Sequence, residues 1–367
     1  MRQGSVIAAG MALALLTQAA SAQDFDLDAL LAAAKSEPPT SVYAVTGKIV
    51  GTAEAFSAKY GLNVTGKKVN EAGQIDLLIR EGEAGNVAGS VSLASDASLI
   101  AGELIAQGLV ESYLPADIAP HIAPANQNPL VVVNDPHVWA YNSDSHDTCP
   151  VSNVWQLTEP EWSGQVAFMD PLDTPPYADM FNQLAMGHDD KMAAAYEAHF
   201  GKPFDTGQGS ATEAWVKAFA ANRPLVASSD NASEAIGTKE QEKTFVGMLS
   251  VAKFRDNAGK GYALKICEGM QPFPGWLYPG VAVIASGTKS PATAKLFVHF
   301  LLTDEGISNQ TIDGKVPSDT RLSLPAEEAS GVGALLDQLM VWDLTQAAAD
   351  LEARQDWQDL WMMNLKR

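Results

Sequence analysis

Short apolar or β-branched runs alternate with longer amphipathic stretches along most of this chain. Residues 41–45 (SVYAV), 90–93, 130–133, 165–169, 225–227 and 281–285 are such runs, each bounded by turn residues, and they predict short strands. Between them the apolar positions recur at helical spacing. The stretch 26–35 opens on acidic residues, 51–59 runs into a Tyr60-Gly61 stop, 99–107 ends at Gly108, and 212–221 precedes Asn222-Arg223-Pro224. Residues 291–302 and the tail from Leu335 complete the predicted helices. Strand and helix in alternation predict an α/β fold with largely parallel sheets.

Two extended passages break the alternation, 129–142 (PLVVVNDPHVWAYN) and 269–285 (GMQPFPGWLYPGVAVIA). Each is apolar, interrupted by Pro and Gly, and followed by a fresh α/β stretch. They predict two crossings between two lobes, with 23–135 plus 280–367 forming a discontinuous first lobe and 136–279 the second. A chain of 367 residues is also too long for one compact core.

The first residues follow a different order. Met1-Arg2-Gln3 carries a positive charge, 6–16 is an apolar run, and Ala20-Ser21-Ala22 precedes Gln23. This is the order of a secretory signal peptide over 1–22 with an A-x-A cleavage site, so the mature protein is expected in the periplasm. An uncleaved anchor is the alternative, but the run falls short of the roughly 20 residues that span a bilayer. No later stretch predicts membrane insertion.

The formal charge is −20, and losing Arg2 with the leader takes it to −21. Such a surface repels nucleic acid and anionic lipid. An anionic ligand would have to be held by local devices such as helix N-termini. Cys149 and Cys267 are the only cysteines, and in an oxidising compartment an even pair predicts a disulfide. A metal site is the alternative, although only His146 stands near either at ligand spacing.

Three stretches carry a family resemblance. Residues 154–171 (VWQLTEPEWSGQVAFMDP) match a "WxxLxxPxWxGxxxxxDP" pattern. Residues 277–286 with 294–306 (AKLFVHFLLTDEG) match a returning strand and a helix ending "FLLSxEG", and 42–60 matches an opening strand and helix. The chain thereby resembles the solute-binding proteins of bacterial ABC importers, in the branch of the ferric-iron-binding proteins. That resemblance implies a type II periplasmic binding fold, two α/β lobes joined by two hinge crossovers with the ligand cleft between them. It also implies a monomer without cofactor or catalytic chemistry, partnered by a small-molecule ligand and an ABC permease. A receptor feeding a sensor kinase would use the same fold.

The resemblance assigns candidate residues too. Iron binders of the branch carry adjacent tyrosines after the strand at 224–227, whereas this chain has Ser228-Ser229-Asp230-Asn231 there, with Ser229 the candidate. No two tyrosines are adjacent anywhere in the chain, which weighs against iron, a hard cation that favours phenolate donors. The hexose-phosphate binders are the subgroup it resembles most. Thr174 and Tyr177 at a Pro-marked helix start would hold the anion, and His188, Asp189 and Glu213 the sugar hydroxyls. On the opposite lobe, Thr46, Gly47, Ser95 and Asp96 follow predicted strands, where open α/β sheets bind ligands. Lys48 and the 314–319 loop (GKVPSD) are weaker candidates of the same kind, and for each residue an ordinary turn or cap is the plain alternative. Trp155 and Trp162 read as core, Trp276 as core or cleft.

Ferric iron, held by Tyr141, Tyr177, Tyr196 and Tyr278, is the second reading. An exported hydrolase or phosphatase is the third. The chain has no G-x-S-x-G, H-E-x-x-H or C-x-x-C to support it. The consecutive Ser145-His146-Asp147 cannot form a relay, because neighbouring residues point in different directions.

Overall fold

A computed structural model describes residues 25–366. The expected signal peptide lies outside the described residues. Among those described, no helix is long and apolar enough to cross a membrane.

Eleven strands form one twisted sheet. They are β1 (Thr40–Ala44), β2 (Val64–Lys68), β3 (Gly89–Ala94), β4 (Val110–Ser112), β5 (Val131–Asn142), β6 (Val166–Phe168), β7 (Leu225–Val226), β8 (Val246–Ser250), β9 (Leu264–Ile266), β10 (Gly275–Ala285) and β11 (Val316–Pro317). The main order is β2-β1-β3-β10-β5-β8-β6-β7, with β4 on β10 and both β9 and β11 on β5.

The two long strands, β5 and β10, run antiparallel to each other, with Val131 opposite Val281 and Val138 opposite Gly275. Their ends serve different neighbours. The end of β10 pairs with β3 and β4, and the end of β5 with β8 and β9. The two passages rich in Pro and Gly thus become the pair of strands through which one half of the molecule continues into the other. Outside this pair the sheet is parallel, β1 to β2 and β3 in one half, β6 to β7 and β8 in the other. The expectation of largely parallel sheets therefore needs correction: a chain that crosses out and back must cross in opposite directions, and its neighbours there are antiparallel.

Each half encloses an apolar core beneath helices. In the first, Phe56 packs edge-on against Phe297 and Phe300. The helix Lys48–Tyr60 that supplies Phe56 ends where Gly61 takes φ 67°, as the Tyr60-Gly61 stop predicts. In the second, Phe168 meets Phe181, Phe219 and Trp361. Trp155 and Trp162 belong to this core, and Trp276 is buried with its Nε1 donating to Met248 Sδ. Cys149 and Cys267 are bridged, with Cα atoms 5.2 Å apart.

Two helices differ from expectation. The stretch predicted over 99–107 is a short turn, Ala97–Leu99, followed by a π-helix, Ile100–Leu104. The tail is helical only over Ala347–Asn364, and it lies on Pro176–Gly187 and Ala211–Ala221 of the middle segment as well as on 97–104. Trp361 accounts for part of that placement, because it is fully buried and its ring packs on Phe168, Phe181 and Phe219.

Candidate functional site

The strand ends of both halves open onto one cavity of about 400 Å³. From the first half come Thr46 after β1, Lys68 at the end of β2 with Asn70, Glu71 and Ala72 after it, Ser95 after β3, and Lys315 beside β11. From the second come Asp173 and Thr174 after β6, Ser229 and Asp230 after β7, and Ser250, Lys253 and Arg255 at and after β8. Asp135, His137 and Tyr278 on the two crossing strands form the floor. Parallel strands all end on the same side, so helices that follow them start there and turn their N-termini to the cavity. Asn70 caps Glu71–Glu83 and Ser228 caps Ser229–Gly237. The Ser229 Oγ is buried with no hydrogen-bond partner among the described residues.

Charge in the cavity is concentrated and mostly paired. Lys315 Nζ lies 3.0 Å from Asp135 Oδ2, and Ser250 donates to Asp135 Oδ1 at 2.6 Å. Burial alone would raise the Asp135 carboxyl, but Lys315, His137 and the Ser250 hydroxyl together hold it below its usual range. Burial drives the His137 imidazole down to about 4 despite the Asp135 charge, so the ring is neutral near pH 7. Its Nδ1 lies 2.6 Å from the Tyr177 hydroxyl. Lys253 pairs with Asp230. Arg255 reaches Asp313 of the opposite half at 2.6 Å, where Lys48 also approaches at 3.6 Å.

Thr46, Ser95, Thr174 and Ser229 border this cavity. Gly47 is the N-cap of Lys48–Tyr60 beside Thr46, with open space where a side chain would be. Asp96 turns away: it caps Leu99 and accepts hydrogen bonds from Arg354. Tyr177 is fully buried behind His137.

His188, Asp189 and Glu213 are not brought to the cavity. His188 borders a separate hollow of about 420 Å³ with Trp342 and Asp343. Glu213 is paired with Lys217 one turn along its own helix. Asp189 accepts from Ser210 Oγ at 2.6 Å and from the Thr212 amide at 2.7 Å, capping Ala211–Ala221 from outside. Burial opposes its ionisation, yet these bonds keep the carboxyl below its usual range. Asp189→Ala is expected to lower stability by about 1–2 kcal/mol in urea unfolding while ligand affinity stays within twofold, roughly the scale of a lost cap.

The tyrosines scatter. Tyr141 lies in the core, Tyr196 packs on Trp155, and among the described residues only Tyr278 lines the cavity. Burial holds the phenols of Tyr177 and Tyr278 well above their ordinary value, which disfavours phenolate donors. Among the described residues no group of three or more His, Cys, Asp or Glu stands where it could hold a metal ion.

The cavity-lining residues that sequence reasoning did not single out are mostly charged: Lys68, Glu71, Asp135, His137, Lys253, Arg255 and, beyond a weak hint from GKVPSD, Lys315. The segment Asp135-Pro136-His137, polar inside an apolar crossing, was a signal that could have found two of them.

A family model for bacterial extracellular solute-binding proteins matches residues 42–309. Among solved structures, iron-bound HitA from Pseudomonas aeruginosa is 17% identical, with 87% of this chain and 99% of that chain covered and a TM-score of 0.67. AfuA from Actinobacillus pleuropneumoniae, with exogenous fructose-6-phosphate bound, is 18% identical over 89% of this chain and 98% of that chain, at a TM-score of 0.64. A ferric binding protein from Campylobacter jejuni is 13% identical over 88% and 99%, at 0.63. No curated protein matches the sequence. At these identities the structural likenesses establish the fold, two α/β halves of the type II periplasmic binding arrangement.

Proposed function

Because the chain belongs to the bacterial extracellular solute-binding proteins, we propose that it captures a small hydroxylated organic anion, such as a sugar phosphate, for an ABC importer. One observation supports this above the others. Lys68 and Lys315 from one half and Lys253 and Arg255 from the other line the same cavity, in a chain whose net charge is −20. Glu71, Asp135, Asp173 and Asp230 line it too, so an anion would share these cations with their carboxyl partners, and the helix starts at Asn70 and Ser228 add partial positive charge. Thr46, Ser95, Thr174 and the unpartnered Ser229 supply hydroxyls for the same ligand.

The leader over 1–22 would be removed on export, and the halves would move as lobes about β5 and β10 near residues 135 and 280. A ligand touching both walls favours the closed arrangement by its difference in affinity between open and closed, and a permease reads that state. No turnover is involved. Iron is the second reading, favoured by HitA's bound iron but opposed here by the scattered tyrosines.

A thermal-shift panel on ligand-stripped protein tests the proposal, comparing hexose phosphates, the free sugars, inorganic phosphate and ferric citrate. Ligand at 100 times its Kd adds about 2.7 kcal/mol, a rise of roughly 4–8 °C for units of this size. Hexose phosphates are expected to give it and Lys315→Met to remove most of it. A rise with ferric citrate alone would reject the anion in favour of iron.

A further inference from the structure

Glu71 stands on the cavity wall at the first turn of its helix, and it forms no ion pair among the described residues. Its contact is the Tyr278 hydroxyl, 3.4 Å from each carboxylate oxygen. The charged groups facing it from the surrounding elements are Asp96 after β3, Asp179 on Pro176–Gly187 and Arg354 on Ala347–Asn364. Arg354 is already committed, with its guanidinium hydrogen-bonded to both Asp96 and Asp179. Glu71 thus faces the cavity as a carboxyl without a counter-ion of its own, whereas Asp135 and Asp230 on the cavity lining are paired with Lys315 and Lys253.

We propose that the captured anion also bears an ammonium group, which Glu71 and Tyr278 hold at this corner while Lys315, Lys253 and Ser229 hold the anionic end. The proposal rests on the reading of the cavity as an organic-anion site and names the class of anion. A hydroxyl beside Glu71 would leave its carboxyl protonated and without an ion pair. An ammonium lets the carboxylate form, with a charge-assisted hydrogen bond to it and the Tyr278 ring as an aromatic wall. Burial, reinforced by Asp96, pushes the Glu71 carboxyl up to about 8. An ammonium that binds beside the carboxylate therefore displaces a proton, and capture of an amine at pH 7 releases protons to the buffer.

Isothermal titration at pH 7, in two buffers of different ionisation enthalpy, compares glucosamine 6-phosphate with glucose 6-phosphate. The amine is expected to bind at least about tenfold more tightly and to release protons in excess of any released by glucose 6-phosphate. Glu71→Gln should abolish the release and bring the two affinities within about twofold. Equal binding of the two sugars without proton release would overturn the ammonium and leave the anion reading standing. Binding of neither, by protein whose urea unfolding is normal, would overturn the sugar-phosphate reading and the ammonium with it.

Discussion

Arg354→Ala is expected to cost about 3–5 kcal/mol, the range for breaking a buried ion pair from one side. The guanidinium donates from Nε to Asp179 Oδ1 at 2.8 Å and from Nη2 to Asp179 Oδ2 at 2.6 Å. It also donates from Nη1 and Nη2 to the two oxygens of Asp96, at 3.0 and 2.7 Å. Asp179 is wholly buried and Asp96 is 3% exposed, so alanine would leave two carboxylates in a dry place without a counter-ion. Urea unfolding measures the loss, and a value below about 1 kcal/mol would mean that water enters and solvates the pair. The sign of the pH dependence adds a second check. Burial already raises the Asp179 carboxyl above its usual range, against the pull of Arg354. Without Arg354 it rises further, so the folded variant binds a proton that the unfolded chain does not. Its stability then increases as pH falls from 7 towards 5, and the deficit against the parent narrows. Because Asp96 follows cavity-lining Ser95 and Asp179 lies on the helix after Thr174, the variant should also loosen the two cavity walls relative to each other.

Removing the disulfide is the second large effect. Cys149 and Cys267 are separated by 118 positions, and closing a loop of that length lowers the entropy of the unfolded chain. The chain-entropy relation gives about 4–5 kcal/mol for it. Cys149→Ala with Cys267→Ala is expected to lose most of that in urea unfolding, with ligand affinity little changed because both residues lie away from the cavity lining. A loss under about 1 kcal/mol would show that the unfolded chain is already compact without the bridge. Reduction of the parent with dithiothreitol should reproduce the double variant.

Local chemistry made part of this molecule legible in its sequence. The β-branched run at 41–45, the Tyr60-Gly61 stop and the Pro- and Gly-broken crossings each announce their structure from neighbouring residues; the first three bounds agree within a residue or two, while the second crossing becomes a strand only from Gly275. Thr46, Ser95, Thr174 and Ser229 border the cavity because each follows a strand whose end is visible in the pattern. Lys68, Lys253 and Arg255 were missed because β2 (VTGKK) is polar with an internal glycine, and β8 (VGMLS) has no turn residue to bound it. Glu71 hides in a helix, EAGQIDLLIREGE, weakened by two glycines. Asp189 is the opposite case, a candidate that lies off the cavity. A His-Asp pair at a helix corner looks like a ligand site, and nothing nearby reveals that its carboxylate caps a helix beginning at Ala211. The partners of Arg354 lie 175 and 258 positions away, beyond the reach of any local rule.

The helix Ala347–Asn364 has a consequence for the order in which the protein can assemble. A chain made from its N-terminus presents the Phe181 and Phe219 face long before Trp361 arrives to cover it. The first half waits as well, since β3 needs β10 beside it and Phe56 needs Phe297 and Phe300. Contacts this remote in sequence form slowly, because long loops must close before they are rewarded. Neither half becomes compact until the last third of the chain has been synthesised, and until then its strand edges and aromatic faces are open to other chains. Keeping the nascent polypeptide from aggregating over that interval is work for a holding chaperone rather than for the sequence itself.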